Sequence, residues 1–383
     1  MSASGVRLNL LIGPTVPIPA PAPLMDALAT VEVKHAKGER SGFQIAFRTG
    51  KAATMALDLA LMELPVLKTG MRVILTVFLG ALPKVLIDGL ITRTELKPAE
   101  GEGGGTQLVL TGEDVSFAMD QEEKNVEHPA QPDTVVALKI IALYARYGLI
   151  PMVIPPPSLD VPIVTDRTPT QQGTDLKHLQ KMAARYNYVF HVAPGPVPGT
   201  NTAYWGPDLR LGVPQAALTV DMGSDTNVES LTFENAAAEV TQVRGTVQDR
   251  WTGLKLPVLS LPSLRVPFAL SPALLNSGVA KTKAYRALSG RNIVQAVSDA
   301  SADSEATSDV VKGTGALDTA RYGGMLQARG VVGVRGVGLR YDGLYTVHSV
   351  THKLTRNSYK QEFEIVREGT ISTVPVVPTR GIA

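Results

Sequence analysis

Short runs of Val, Ile, Leu and Thr, with turn residues between them, dominate the first third of the chain. They predict strands at Thr30–Lys34, Gly42–Phe47, Arg72–Phe78, Lys84–Thr94 and Thr106–Gly112, because such side chains at close spacing suit a pleated, half-buried surface. A proline-rich opening, Pro14 to Pro23, is extended and excludes helix there. Only Thr54–Met62 carries a helical pattern in this stretch. Residues 6–118 therefore read as a small β-barrel or sandwich.

At Glu113 the pattern changes. Seven acidic residues and one lysine between Glu113 and Asp133 predict an exposed connector. A helix follows over Thr134–Tyr147, with Asp133 or Thr134 as cap, apolar positions at helical spacing and Gly148 as its stop. A second helix is predicted at Thr174–Tyr186 and a strand at Tyr188–Val192, so residues 119–203 form an α+β insert. Strands return at Leu218–Asp221, Val228–Asn235 and Glu239–Thr246. Residues 251–325 interrupt them with proline-broken apolar pieces and a Ser/Asp/Ala tract, Ser298–Asp309, that reads as a mobile loop. Leu344–Leu354 and Tyr359–Arg367 predict a closing hairpin. A second barrel is thus expected over 204–250 and 326–368, split by the 251–325 insert, with 369–383 as an extended tail. One echo organises the chain. Asp88–Lys97 with Thr106–Asp114, and Tyr345–Leu354 with Tyr359–Glu368, share the layout strand, turn, return strand, acidic end.

Composition adds limits. The 383 residues suffice for two to four domains. Gly (35) and Pro (27) are plentiful and aromatics make up only 5%, which favours strands and turns over long helices. A net charge of +2 supplies no global field to draw in nucleic acid. The absence of cysteine excludes disulfides and thiolate chemistry and suits folding in a reducing cytoplasm. The N-terminus lacks a signal-peptide pattern, and no apolar run is long enough to span a bilayer.

Candidate chemistry is sparse. Gly101–Gly105 lacks the Lys-Ser/Thr pair of a phosphate loop and reads as a hairpin tip. Gly330, Gly333, Gly336 and Gly338 lack the third glycine and following helix of a dinucleotide site, and read as bends. His348 and His352 lie four apart, but among strand formers and without the zincin glutamate. Asp299, Ser301 and Asp303 lack the glycine of a calcium loop. Glu113/Asp114 and Glu122/Glu123 read as solvated acids with no opposing partner. No catalytic, cofactor-binding or metal-binding residue is assigned, and no enzyme is expected. Arg321–Arg367 holds eight Lys/Arg against three Asp/Glu, a basic segment able to dock an acidic partner.

The order of these parts resembles the baseplate hub family of contractile tails: phage late control protein D, the myophage central hub and the N-terminal portion of type VI secretion VgrG spike proteins. The hairpin Val85–Glu95, Leu108–Asp114, the helix-to-strand passage Asp175–Phe190 and the closing hairpin Gly343–Arg367 carry the resemblance. It implies a mainly β chain with an α+β insert and two similar small β-barrels, six of which form a pseudo-sixfold ring in a homotrimer. That ring adapts a sixfold inner tube to a threefold spike. The implied partners are other copies of itself, the tube protein, a separate spike protein and other baseplate proteins, in a phage tail or tail-like particle assembled in the cytoplasm. A tail-associated wall hydrolase and a carbohydrate- or peptide-binding β module are the competing readings.

Overall fold

Val6, Leu8, Leu10 and Ile12 are buried while Arg7 is exposed, the alternation that a half-buried strand imposes. The computed structural model describes residues 2–3, 6–49, 64–80, 82–98, 106–156, 168–210, 212–248, 253–260, 265–276, 280–285, 293–374 and 377. Thr54–Met62 and Gly101–Gly105 lie outside the described residues. The chain is mainly β and falls into two compact units. Residues 1–180, 190–206 and 351–360 form the first; 181–189, 207–350 and 361–383 form the second.

The first unit is built on β1 (Val6–Gly13), β2 (Leu28–Ala36), β3 (Gly42–Thr49), β4 (Arg72–Leu79), β5 (Leu82–Pro98) and β6 (Thr106–Asp114). Their order in the sheet is β1-β4-β5-β6-β3-β2, with antiparallel neighbours throughout. Leu10, Val33, Ile45, Leu75, Ile87 and Leu110 are buried along these strands.

An insert follows: β7 (Glu123–Glu127), α1 (Asp133–Ala142), β8 (Leu149–Val153), β9 (Thr170–Thr174), α2 (Asp175–Ala184), β10 (Tyr188–Pro194) and β11 (Asn201–Pro207). Strands β8, β11 and β10 make a small sheet with β8 parallel to β11. β7 and β9 pair as an antiparallel ribbon. Gly148 takes the left-handed conformation that ends the turn after α1, as its place in the sequence predicts.

The stretch after Glu113 is exposed only in its second part, over 121–127; its first part, through Asp120, is not. Asp114 Oδ1 accepts from the Ser116 N–H at 2.9 Å and Oδ2 from the Ser41 N–H at 2.8 Å, and Val115, Ser116 and Met119 are buried. Acid-rich composition hid a capped 3-10 turn, Val115–Asp120, whose apolar residues pack.

The second unit contains β12 (Gln215–Thr219), β13 (Ser230–Asn235), β14 (Thr241–Gln248), β15 (Lys255–Leu259), β16 (Lys281–Ala284), α3 (Ile293–Glu305), β17 (Val311–Asp318), β18 (Val331–Arg335), β19 (Gly343–Thr355) and β20 (Tyr359–Arg367). Six of these run β12-β18-β19-β20-β17-β13 around Leu218, Val311, Val332, Tyr345, Val347 and Ile365. Numbered by sequence within each unit, both sheets have the order first, fourth, fifth, sixth, third, second. The chain therefore carries one six-strand topology twice, and the echoing hairpins are the fifth and sixth strands of each copy. The copies differ at one seam, where β12 pairs parallel to β18 but β1 pairs antiparallel to β4. Beside β12, Asn227 does the work of a strand. Its carboxamide accepts from the Thr219 N–H and donates to the Ala217 carbonyl, both at 2.8 Å.

Between β13 and β17, strands β15, β14 and β16 form a three-stranded layer covered by α3. Ser298–Asp309, expected as a loop, lies largely in this helix. Ala296 and Ala300 are fully buried against Val243, Val247 and Val258. Small residues let the helix axis approach the sheet closely, and a composition of Ser, Asp and Ala conceals that stripe.

The closing hairpin lacks the free edge that sequence alone allows. Its tip, Thr351–Lys360, belongs to the first unit, where β19 neighbours β2. Its base belongs to the second, where β18 flanks β19 and β17 flanks β20.

Candidate functional site

Arg367 is fully buried in the second unit and bonds to no carboxylate. Its Nε donates to the Gly369 carbonyl at 2.8 Å, Nη1 to the Asp342 carbonyl at 2.9 Å and Nη2 to the Arg340 carbonyl at 2.8 Å, while its guanidinium lies 4.4 Å from the centre of the Tyr345 ring. A buried guanidinium is costly unless every donor is used. Here the donors tie two chain segments together. One is the turn Gly336–Asp342 between β18 and β19. The other is the strand Gly369–Ser372, which pairs antiparallel with Ala269–Pro272 as a two-stranded ribbon.

The turn is fixed from several sides. The Asp342 carboxylate accepts from the Val337 N–H at 2.9 Å, and the Gly338 carbonyl accepts from the N–H groups of Tyr341 and Asp342, each at 2.9 Å. Val337 and Tyr341 pack on the core, Tyr341 stacks on Phe233 with centroids 5.0 Å apart, and the Tyr345 hydroxyl donates to the Tyr341 carbonyl at 2.7 Å. Gly336 and Gly338 sit at φ +86° and +92°, and a Cβ on Gly336 would come within 1.9 Å of the Val220 carbonyl oxygen. Only glycine fits that position. The Ile371 N–H donates to the Arg340 carbonyl at 3.2 Å, joining ribbon to turn. The result faces outward. Leu339 is 90% exposed, Leu270 66% and Ile371 49%, with Arg340 exposed beside them. Ile371 holds φ at +63°, a strained conformation for a β-branched residue that persists only where its surroundings fix it.

The first unit carries a second feature, a groove of about 670 Å³ on the outer face of β2, β3, β6 and β5. Cross-strand pairing sets Glu32, Gln44, Thr111 and Arg93 in one row across it. Its charges are largely spent locally: Arg40 pairs with Glu113 at 2.6 Å and with Asp120, and Lys34 with Glu39 at 3.0 Å. The groove is electrically balanced and open.

No protein-family model and no curated protein matches the chain. Solved structures do. The tail protein from Neisseria meningitidis MC58 aligns over 95% of this chain and 97% of its own, with a TM-score of 0.64 at 12% identity. The 43 kDa tail protein of prophage MuSo2 from Shewanella oneidensis aligns over 95% and 98%, with a TM-score of 0.63 at 10% identity. A chain of the Francisella PdpA–VgrG complex matches over 97% of this chain and 54% of its own, with a TM-score of 0.57 at 8% identity. This is the phage-tail fold.

Within the tail fold the residues weighed as chemistry have structural places. His352 is buried in the first unit, its Nδ1 3.0 Å from the Tyr359 hydroxyl and its ring edge-on to His35 at 5.8 Å. Burial, then the His35 charge, push its pKa well below the usual 6.5. His348 is only half-buried on the same strand. Asp299 and Asp303 are helical, not loop ligands. Asp303 pairs with Lys283 at 2.6 Å, and Asp299 accepts from the Tyr285 hydroxyl at 3.4 Å. Glu122 and Glu123 are exposed at the start of the β7 ribbon. Gly333 is a seat for the tail, since a Cβ there would lie 2.0 Å from Val377 Cγ1. Among the described residues no group of three or more His, Asp or Glu is placed to hold a metal ion. No helix among them is long and apolar enough to cross a membrane.

Sequence reasoning missed the buried charges. Arg72 forks onto Asp88 at 2.8 and 2.6 Å, and Asn201 donates to the same carboxylate at 2.9 Å. In the second unit Arg210 bridges Asp309 and Glu368, and Arg265 pairs with Asp208 at 2.7 Å. Arginine and acid within strand-rich sequence give no sign of which pairs burial will join. Asp175 accepts from Lys124, Tyr144 and Gln171 at 2.7, 2.7 and 2.6 Å; burial raises its pKa, but those bonds outweigh it and hold the carboxyl below its usual value.

Proposed function

We propose that the chain is a structural hub of a contractile phage tail or related injection machine, and that it acts without catalysis. One observation carries this reading: the tail fold extends over nearly the whole chain and nearly the whole of two tail proteins. The repeated topology supplies the mechanism. A chain holding one six-strand motif twice offers two similar edges, so three copies offer six. A homotrimer then meets a sixfold inner tube on one side and a threefold spike on the other. The partners are two further copies of this chain, a tube protein, a separate spike protein and other baseplate proteins.

Imaging of assembled particles tests it. Three copies on the tail axis are expected; one copy, or six equivalent copies, overturns the hub. Amide substitution of Glu122 and Glu123 tests the absence of catalysis. Wall-degrading activity of correctly assembled particles should be unchanged, and its loss would restore the hydrolase reading.

A further inference from the structure

In each six-strand copy the fifth strand runs on past the fourth strand that flanks it. In the first copy β4 covers one edge of β5 as far as Leu90, and the Met71 carbonyl accepts from the Ile91 N–H at 2.9 Å. Residues 92–98 of β5 then continue with β6 on their other edge. In the second copy β18 covers one edge of β19 as far as Thr346, and the Gly330 carbonyl accepts from the Val347 N–H at 2.9 Å. The rest of that edge is taken. A strand has two edges and β20 fills one, so β2, the second strand of the first copy, lies along the rest of the other. The seam is close-fitting. His35 of β2 meets His352 of β19 edge-on at 5.8 Å, Arg356 in the turn after β19 donates to the Asp26 carbonyl, and Leu354 is 5% exposed. All of these residues belong to the first unit.

Among the described residues, two edges lack the partner that this seam supplies. One is residues 92–98 of β5, where Leu96 is 59% exposed. The other is β13, the second strand of the second copy, which neighbours β17 alone. The Ala236 N–H donates to the Val310 carbonyl at 2.9 Å, one residue beyond the Asn235–Val311 pair. Backbone direction alternates along an antiparallel ladder, so the N–H and C=O groups of Leu231, Phe233 and Asn235 point away from β17. Such a row is a template for another strand. The charges agree. Glu234 is the charged residue of β13, whereas residues 92–98 carry Arg93 and Lys97 against Glu95.

We infer that residues 92–98 of one copy pair with β13 of a second copy, repeating between chains the seam that β19 and β2 make within one. Fifth strand meets second strand at both seams, so every chain gives one edge and receives one. The contact joins different surfaces of identical chains, and it closes into a ring when the rotation allows. It rests on the trimeric hub reading and names the strands that build the trimer.

The chain has no cysteine, which makes a thiol test direct. Full-length Leu96→Cys and full-length Thr232→Cys are mixed, in solution and in assembled particles, treated with a short bismaleimide and run on denaturing gels. Covalent dimers are expected from the mixture and from neither variant alone. In parallel, Asn235→Pro removes an N–H that points away from β17 and leaves the β17 ladder intact. It should raise the concentration for half-assembly at least tenfold by sedimentation, with unchanged circular dichroism. Glu234→Lys, an exposed change, should shift it severalfold in the same direction. A trimer that neither cross-links nor responds to these two substitutions overturns this seam and leaves the hub reading standing. Covalent dimers from Thr232→Cys alone would mean that two β13 edges meet, which overturns the pairing of fifth strand with second. A chain that is monomeric in solution and present as one copy in the particle overturns the hub reading, and this seam with it.

Discussion

His352 shows how burial turns an ordinary side chain into a pH-dependent element. No carboxylate hydrogen-bonds to its ring; a tyrosine hydroxyl and a second imidazole lie against it. Burial and the His35 charge both favour the neutral form, so its folded pKa lies well below 6.5. Above pH 6.5 neither the folded nor the unfolded state binds the proton, and stability is indifferent to pH. As pH falls through 6.5 the unfolded chain takes up a proton that the folded chain refuses. Stability contributed by this group is then lost by up to about 1.4 kcal/mol per pH unit, until the folded pKa is reached. Denaturant titrations between pH 7.5 and 5 should show this slope, and His352→Phe should remove most of it. An unchanged slope in the variant would mean that another group sets the acid limit. The histidine is legible in the sequence, but its environment is not: Tyr359 follows on the next strand, while His35 is over three hundred residues away.

Helix α3 carries the same lesson at the scale of an element. Its Ser-Asp-Ala tract has the composition of a solvated loop, yet Ala296 and Ala300, four apart on one helix face, form a stripe that only makes sense once β14 and β15 lie beneath it. Trimming Ser298–Asp309, which a loop would tolerate, should therefore unfold the three-stranded layer. A sharper test is Ala300→Asp. An unpaired carboxylate at a fully buried position should cost several kcal/mol. Limited proteolysis should then cut within residues 240–310 while the six-strand sheet of the second unit stays resistant. Resistance equal to the parent protein would show that the helix packs more loosely than its burial implies. The hairpin β19–β20 errs in the opposite direction. Its length and β propensity are plain in sequence, but strand order decides that neither side of it is free.

For the whole molecule, the twofold use of one topology matters more than any site. The echo between Asp88–Lys97 and Tyr345–Leu354 becomes meaningful because both segments lie in the fifth strand of the same six-strand order. If copies associate through folded surfaces, the thermal midpoint should rise with protein concentration by mass action, several degrees across a hundredfold range. Scanning calorimetry at low and high micromolar chain concentration checks it. A midpoint independent of concentration would place assembly under the control of a partner.

What the sequence determined by itself was local: strands at alternating or β-branched runs, and helices α1 and α2 with a left-handed stop at Gly148 in the turn after α1. These follow from steric preference and periodicity within a few residues. Tertiary structure alone decided the rest. It chose which strands became neighbours, which arginines lost their water, and how Arg367 drew a glycine-rich turn and a distant ribbon into one rigid surface. The physical reason is that a buried charge must satisfy its hydrogen bonds wherever the fold supplies acceptors, distant carboxylates for Arg72 and Arg210 and backbone carbonyls for Arg367, and no local side-chain pattern records which.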